Sequence, residues 1–254
     1  MHPLSKWTAI FLALSLGIAL LPAQEKGDAT FRSDTRLVLL HATVVDRNGK
    51  IVTDLSQDAF TVLENGVQQP IKIFRREDVP VSMGLIIDNS GSMRDKRQQV
   101  ATAALRLVKE SNPQDEVFIV NFNDEAFLDQ AFTSDLKKLE EALTRIDSRG
   151  GTAMRDAVSM SIDYLKEKGK RDKKVLLVVT DGDDNTSSSA STIEKLVEKA
   201  HLSEVLIYSI GLLNEEERGK AKRAQRAMKA LSEASGGAAY FPKAVTDIDA
   251  LSSQ

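Results

Sequence analysis

Val81-Ser82-Met83-Gly84-Leu85-Ile86-Ile87-Asp88-Asn89-Ser90-Gly91-Ser92-Met93 is a short apolar run that ends abruptly in an acid, two hydroxyls and a glycine. A helical pattern follows it. Such a run before a turn and a helix predicts a strand buried in a parallel sheet. Asp88, Ser90 and Ser92 then fall on the loop at the strand's carboxyl end, where open α/β sheets bind ligands. All three side chains offer oxygen, the donor that Mg²⁺ and Ca²⁺ prefer. Ser and Asp are also common helix N-caps, so these residues alone fit a capping turn as well as a cation site.

Two later stretches extend the pattern. Gly150-Gly151-Thr152-Ala153 opens a second helix, and Val175-Leu176-Leu177-Val178-Val179-Thr180-Asp181-Gly182 is another buried-type strand ending in an acid. The order Asp-x-Ser-x-Ser, then a Thr after a Gly pair, then a strand ending Thr-Asp-Gly resembles the von Willebrand factor type A family. Its metal-ion-dependent adhesion site is matched by Asp88, Ser90, Ser92, Thr152 and Asp181, each in a strand-to-loop or loop-to-helix position. The resemblance implies a bound divalent cation, Mg²⁺ first, with Mn²⁺ or Ca²⁺ as alternatives. Ser90 and Ser92 would ligate it directly, and Thr152 and the two aspartates directly or through water. The resemblance further implies an open coordination position that takes an Asp or Glu carboxylate from a partner protein. Two carboxylates balance a dication, and the absence of histidine or thiolate from the motif disfavours zinc. Gly91 permits close backbone approach, and Gly150-Gly151 leaves the Thr152 loop room to shift.

Composition narrows the function classes. The chain has 254 residues, 42% hydrophobic and 28% charged, which suits a globular protein. A formal net charge of −3 leaves no electrostatic footprint for nucleic acid. The basic runs at 166–174 and 220–226 read as solvated helix faces and ends. With no cysteine, disulfides, thiolate catalysis and Cys-ligated zinc are excluded.

Four segments follow from the chain read in order. Residues 1–23 have the pattern of a cleaved secretory signal: Lys6, an uncharged, mostly apolar run from Trp7 to Leu21, then Pro22-Ala23. The expected location is therefore secreted or periplasmic. Residues 24–36 read as a flexible leader. Residues 37–79 form a small antiparallel β module, with strand-like Leu37–Asp46, turns at Asn48-Gly49 and Asn65-Gly66, and apolar runs at Phe60–Glu64 and Ile71–Phe74. This segment resembles, more loosely, the β leader of bacterial secreted proteins related to the type A family. A module of about forty residues is too small to bury its own core, so it should pack on its neighbour. His41, in mid-strand, reads as structural.

Residues 80–254 alternate strand and helix, which predicts an α/β, doubly wound, mostly parallel Rossmann-like sheet covered on both faces. Expected helices run from Asp95 to Glu110, from a Ser134 cap to Ile146, from Thr152 to Leu165, Thr192 to Leu202, Glu215 to Ala234, and near Asp247–Ser252. Phe127–Phe132 is expected as a short edge strand, and Gly236-Gly237 as a helix stop.

The sequence favours binding over catalysis. A haloacid-dehalogenase-like phosphatase needs a second Asp where Ser90 stands. Neither serine lies in Gly-x-Ser-x-Gly, and no P-loop or Gly-x-Gly-x-x-Gly is present. Asp183 and Asp184 read as a solvated loop, Asp156 as a favourable acid in a first helical turn, and the Asn185-Thr186-Ser187 sequon has no assigned role. The expected function is an exported, metal-dependent protein-binding module. A metal-independent assembly subunit of an envelope complex is the alternative, and a metal-dependent hydrolase the third.

Overall fold

A computed structural model of the chain describes residues 38, 40, 42–47, 52–75, 79–144, 148–213 and 217–242. The expected signal segment, the leader, His41, the Asn48-Gly49 turn and the terminal helix at 247–252 lie outside the described residues. From Leu39 onward the chain forms one compact unit. Of the other unit, residues 1–38, only Val38 is described, and it is exposed.

The decisive stretch is a strand, β3 (Val81–Asp88), and all eight of its residues are buried. It lies between β4 (Glu116–Phe122) and β6 (Lys173–Thr180), parallel to both. The full sheet has the order β5-β4-β3-β6-β7-β8, with β5 (Ala126–Thr133), β7 (Leu206–Gly211) and β8 (Ala239–Tyr240) completing it. Only β5, on one edge, runs antiparallel to its neighbour. Apolar residues on both faces of β3 are what a strand covered on both sides requires.

Alternate residues of β3 serve opposite layers. Met83, Leu85 and Ile87 join Val100 and Ala104 of α1 (Arg97–Glu110) and Leu139 and Leu143 of α2 (Leu136–Thr144). Ile86 joins Phe118 of β4, Met154 and Ile162 of α3 (Met154–Lys168), Leu196 of α4 (Ile193–His201), and Met228 and Leu231 of α5 (Arg218–Ser235). Gly84 has a steric reason: a Cβ there would run into the Phe118 ring and Leu176. The Phe118 ring in turn packs 4.9 Å from both Phe132 and Tyr164.

Boundaries differ from expectation for local reasons. The first helix starts at Arg97, because a 3₁₀ turn at Gly91–Met93 occupies the chain first. Asp135, not Ser134, caps α2: its Oδ1 accepts the Lys137 N–H at 3.0 Å. Thr192 does cap α4, and Gly236 ends α5 in the left-handed region at φ 84°.

Within residues 37–79 the described strands are those of a single hairpin. β1 (Val62–Glu64) and β2 (Val67–Gln69) pair antiparallel around Asn65-Gly66, whose φ values of 51° and 81° are those of a type I′ turn. The described part of Leu37–Asp46 is not a strand beyond a single bridge at Val45. Its anchor is polar instead: Thr43 donates its N–H to Gly236 O at 3.1 Å, and its hydroxyl pairs with Tyr208 at 2.8 Å. Ile71–Phe74 is likewise irregular, with Phe74 packed 5.2 Å from Phe60.

Candidate functional site

The strand order turns at β3: β4 lies on one side and β6 on the other, which makes the gap beyond the carboxyl ends of β3 and β6 the topological switch point. Asp88 ends β3, and Asp181 follows the last residue of β6. Four of the five expected site residues form one hydrogen-bonded chain across this gap. Asp88 Oδ1 accepts the Ser90 N–H at 2.7 Å, and its Oδ2 accepts the Thr180 hydroxyl at 2.5 Å. The Ser90 and Ser92 hydroxyls share a hydrogen bond of 3.1 Å, and Ser92 donates to Asp181 Oδ1 at 2.7 Å. Lys96 closes the chain, its ammonium 2.6 Å from Asp181 Oδ2 and 3.2 Å from Leu212 O.

None of these hydroxyls caps α1, whose N-cap position belongs to Lys96, so the capping reading is not realised. Asp88 is fully buried. Burial pushes its carboxyl up from the ordinary 3.8 to about 6, against the Thr180 and Ser90 hydrogen bonds that favour the charged form.

Thr152 arrives on a separate arm. Gly91 N donates to Gly150 O at 3.2 Å, and Arg149 N to Asn89 O at 2.9 Å, which moors this arm to the Ser90 loop. The Thr152 side chain lies beside the turn after Asp181: a Cβ built on Gly182 would meet its Oγ1 at 3.4 Å. The loop is pinned on two further sides. Asp124, in the β4–β5 turn, accepts the Gly151 N–H at 2.7 Å, and Asn185 Oδ1 accepts the Thr152 N–H at 2.9 Å. Gly150 (φ 73°) and Gly151 are glycines because a side chain at Gly150 would collide with the Asp124 carboxylate and one at Gly151 with the Thr186 methyl and Asn185 Oδ1. Gly91 has no such need, since its Cβ would sit at an ordinary 3.7 Å from Gly150 O.

The loop after β6 also supplies the cap that α3 lacks. No side chain of its own caps α3 at Ala153. Asp184 Oδ2 accepts the Arg155 N–H at 2.7 Å while its Oδ1 bridges the Arg155 guanidinium at 3.0 Å. Ser187 Oγ accepts the Asp156 N–H at 3.2 Å, and Asp156 in return accepts the Ser188 N–H at 2.8 Å. Asp184 is therefore not part of a solvated loop: its side chain is 6% exposed because it serves a helix end. Asp183, bonded to Arg223 at 2.7 Å, is the more exposed of the two.

The donor set fits a hard divalent cation. Asp88, Ser90, Ser92, Thr152 and Asp181 offer only oxygen, with two carboxylates to balance the charge. A cationic ammonium already lies on Asp181, which marks this spot as one where positive charge is stabilised. Among the described residues no three His, Cys, Asp or Glu side chains cluster, so any cation here would lean on the hydroxyls. Thr180 enters the sequence motif only as the residue before Asp181, and nothing local marks Lys96, Asp124 or Asn185 as part of the site. Asn185 stood in a noted triplet, and Asp124 in a polar turn, but their partners lie 33 and 27 residues away in sequence. A cleft of about 350 Å³ lies elsewhere, lined by Asp115, Glu116, Lys170 and Arg171. Its acids are spent on strand starts: Asp115 accepts Val81 N–H at 2.7 Å, and Glu116 accepts the Ser82 hydroxyl and Lys170 N–H, each at 2.6 Å.

A doubly wound sheet with an oxygen-lined loop cluster at its switch point thus defines the class. Residues 83–183 match the von Willebrand factor type A domain, and this segment of the chain is such a domain. Inter alpha-trypsin inhibitor heavy chain 4 of Mus musculus is 31% identical over 135 residues, which are 47% of this chain but 14% of that one. Among solved structures, the conserved hypothetical protein BatB from Bacteroides thetaiotaomicron matches with a TM-score of 0.56 at 18% identity, over 68% of this chain and 96% of that one. The pilus adhesin SpaC from Lactobacillus rhamnosus GG matches with a TM-score of 0.56 at 13% identity, over 70% and 30% respectively. Identities this low establish the shared fold.

Proposed function

We propose that the chain is an exported protein-binding module in which Asp88, Ser90, Ser92, Thr152 and Asp181 hold a divalent cation, Mg²⁺ foremost. The observation that carries this reading is the convergence of four of these residues in one hydrogen-bonded chain at the switch point, with Thr152 moored alongside. When bound, such an ion supplies a coordination position for an Asp or Glu carboxylate of a partner protein. The chain's own part is to fix the two serines on the turn after β3, to hold Asp88 by Thr180, and to clamp Thr152 through Asp124 and Asn185. The likeness in fold to a pilus adhesin and the expected signal segment support a site outside the cytoplasm. Among the described residues no helix is long and apolar enough to cross a membrane. Binding is preferred to hydrolysis because the one described histidine, His201, sits at the Ala234 carbonyl, so among the described residues neither serine is paired with a histidine base.

The test is calorimetric titration of Mg²⁺ and Mn²⁺ into the chain and its Asp88→Ala and Asp181→Ala variants. Either variant should lose on the order of several kcal/mol of metal affinity, because one carboxylate cannot balance a dication. Partner capture from an envelope extract should fall with it. If Asp88→Ala captures the partner fully in chelator, the metal-independent assembly reading replaces this one. That second reading has its own support: every carboxylate oxygen of the site already has a partner within the chain.

A further inference from the structure

Among the described residues, Lys96 is the cationic group bonded into the oxygen cluster. It lies in the turn between Ser92 and α1, with its backbone N–H on Met93 O at 3.0 Å. Its ammonium reaches Asp181 Oδ2 at 2.6 Å, a carboxylate whose side chain is only 2% exposed. The same ammonium donates to Leu212 O at 3.2 Å, just past the end of β7. The Leu212 N–H in turn donates to Thr180 O at 2.9 Å, and the Thr180 hydroxyl holds Asp88. Lys96 thus joins the start of α1, the end of β6 and the end of β7 through a single charge. Without it, two carboxylates would face one another across a chain of neutral hydroxyls.

From this geometry, and resting on the cation reading above, we propose that Lys96 is a built-in competitor for the divalent cation. It holds Asp181 in the metal-free protein and has to release that carboxylate before a dication binds tightly. The physics is one of substitution. An ammonium next to a dication in a partly desolvated cluster is strongly repelled, whereas either cation alone is welcome there. Lysine suits the exchange: its compact charge rides on a flexible four-carbon stem, and about a third of its side chain is already exposed, so it has a route to water. The consequence is a site that keeps its shape without metal and binds metal only when the ion's concentration outweighs the internal cation.

The test uses the full chain, Mn²⁺ as probe, and two variants. Lys96→Met removes the charge and keeps the stem, and Lys96→Arg keeps the charge. Lys96→Met should bind Mn²⁺ about tenfold tighter or more, since the dication no longer displaces a charge. It should also melt lower in chelator and gain more on adding Mn²⁺, while Lys96→Arg should stay near the parent or bind more weakly. A Lys96→Met protein that is folded by circular dichroism and binds Mn²⁺ no tighter than the parent overturns the proposal. A second readout needs no variant: amine-reactive labelling of Lys96, located by mass spectrometry, should speed up when Mg²⁺ is added to the parent chain. Labelling that does not change in a chain shown to bind Mg²⁺ overturns the proposal while leaving the cation reading intact. If neither the parent nor Lys96→Met binds Mn²⁺, the cation reading falls first and takes the competitor with it.

Discussion

β3 and the β1–β2 hairpin are both extended and both apolar in part, yet they stand at opposite ends of the burial range. Every residue of β3 is buried, while in the hairpin Leu63 and Val67 remain 61% and 63% exposed. The difference lies in neighbours. β3 has a hydrogen-bonded strand on each edge and a helical layer on each face. The hairpin has one partner per strand, and its specification comes from Asn65-Gly66, whose positive φ values set the turn. An isolated two-stranded hairpin is marginal in water, whereas a strand buried on both faces is held by the whole core. Local chemistry can therefore specify a shape that only tertiary burial makes stable.

The largest test of this contrast is a pair of truncations. Phe118→Ala, behind β3, should cost about 3–5 kcal/mol, because the ring fills the space that Gly84 leaves and packs on Phe132 and Tyr164. Leu63→Ala in the hairpin should cost less than about 0.5 kcal/mol. Urea unfolding measures both, and similar costs would break the contrast.

The next effect tests what burial at the end of β3 does to a charge. The folded Asp88 carboxyl titrates at about 6, above its ordinary 3.8, so between those values the folded protein binds more protons than the unfolded chain. In chelator, stability should therefore rise as pH falls from about 6 toward 4 and decline as pH rises through the same window, by on the order of 2 kcal/mol. Melting curves of the parent and Asp88→Asn across this range isolate the contribution. A slope identical in the two proteins would remove Asp88 from the account.

Asp184→Ala asks whether a loop far along the chain does for α3 what Asn65-Gly66 does for the hairpin. It deletes a remote helix cap and leaves Arg155 without its partner. A loss of about 1–2 kcal/mol is expected, with faster hydrogen exchange at the Arg155 and Asp156 amides. Unchanged protection there would mean the cap is idle. The smallest effect belongs to Gly66→Ala. The position has open space, so only the left-handed backbone is penalised, by about 1 kcal/mol. Exchange should quicken in β1 and β2 while the amides of β3 and β6 stay protected. Quickening across the large sheet would mean that the two regions are one cooperative unit.

Much of the large domain was legible because its signals are local. Apolar runs as dense as Val81–Ile87 and Val175–Val179 are compatible with little besides strands covered on both faces, and their alternation with helices leaves a doubly wound sheet as the economical solution. In the described part of the N-terminal module, the legible feature was the turn at Asn65-Gly66. The apolar residues of Leu37–Asp46 suggested a strand, but Val45 forms only a bridge and Thr43 is held by polar contacts to Gly236 and Tyr208.

By itself, the sequence determined the strands of the large sheet, most of its helices, the hairpin turn, and the identity and order of the oxygen-bearing side chains Asp88, Ser90, Ser92, Thr152 and Asp181. These follow from periodicity, glycine placement and residue chemistry, all read within a few neighbours. Only the tertiary structure decided which groups hold those donors. Thr180 reaches Asp88 across 92 residues, Lys96 reaches Asp181 across 85, and Asp124 and Asn185 close on the Thr152 loop from two directions. Such pairings arise because strands distant in sequence are adjacent in the sheet and bring their carboxyl ends together. A charge or a hydroxyl carries no mark in the sequence of the partner that folding will place beside it.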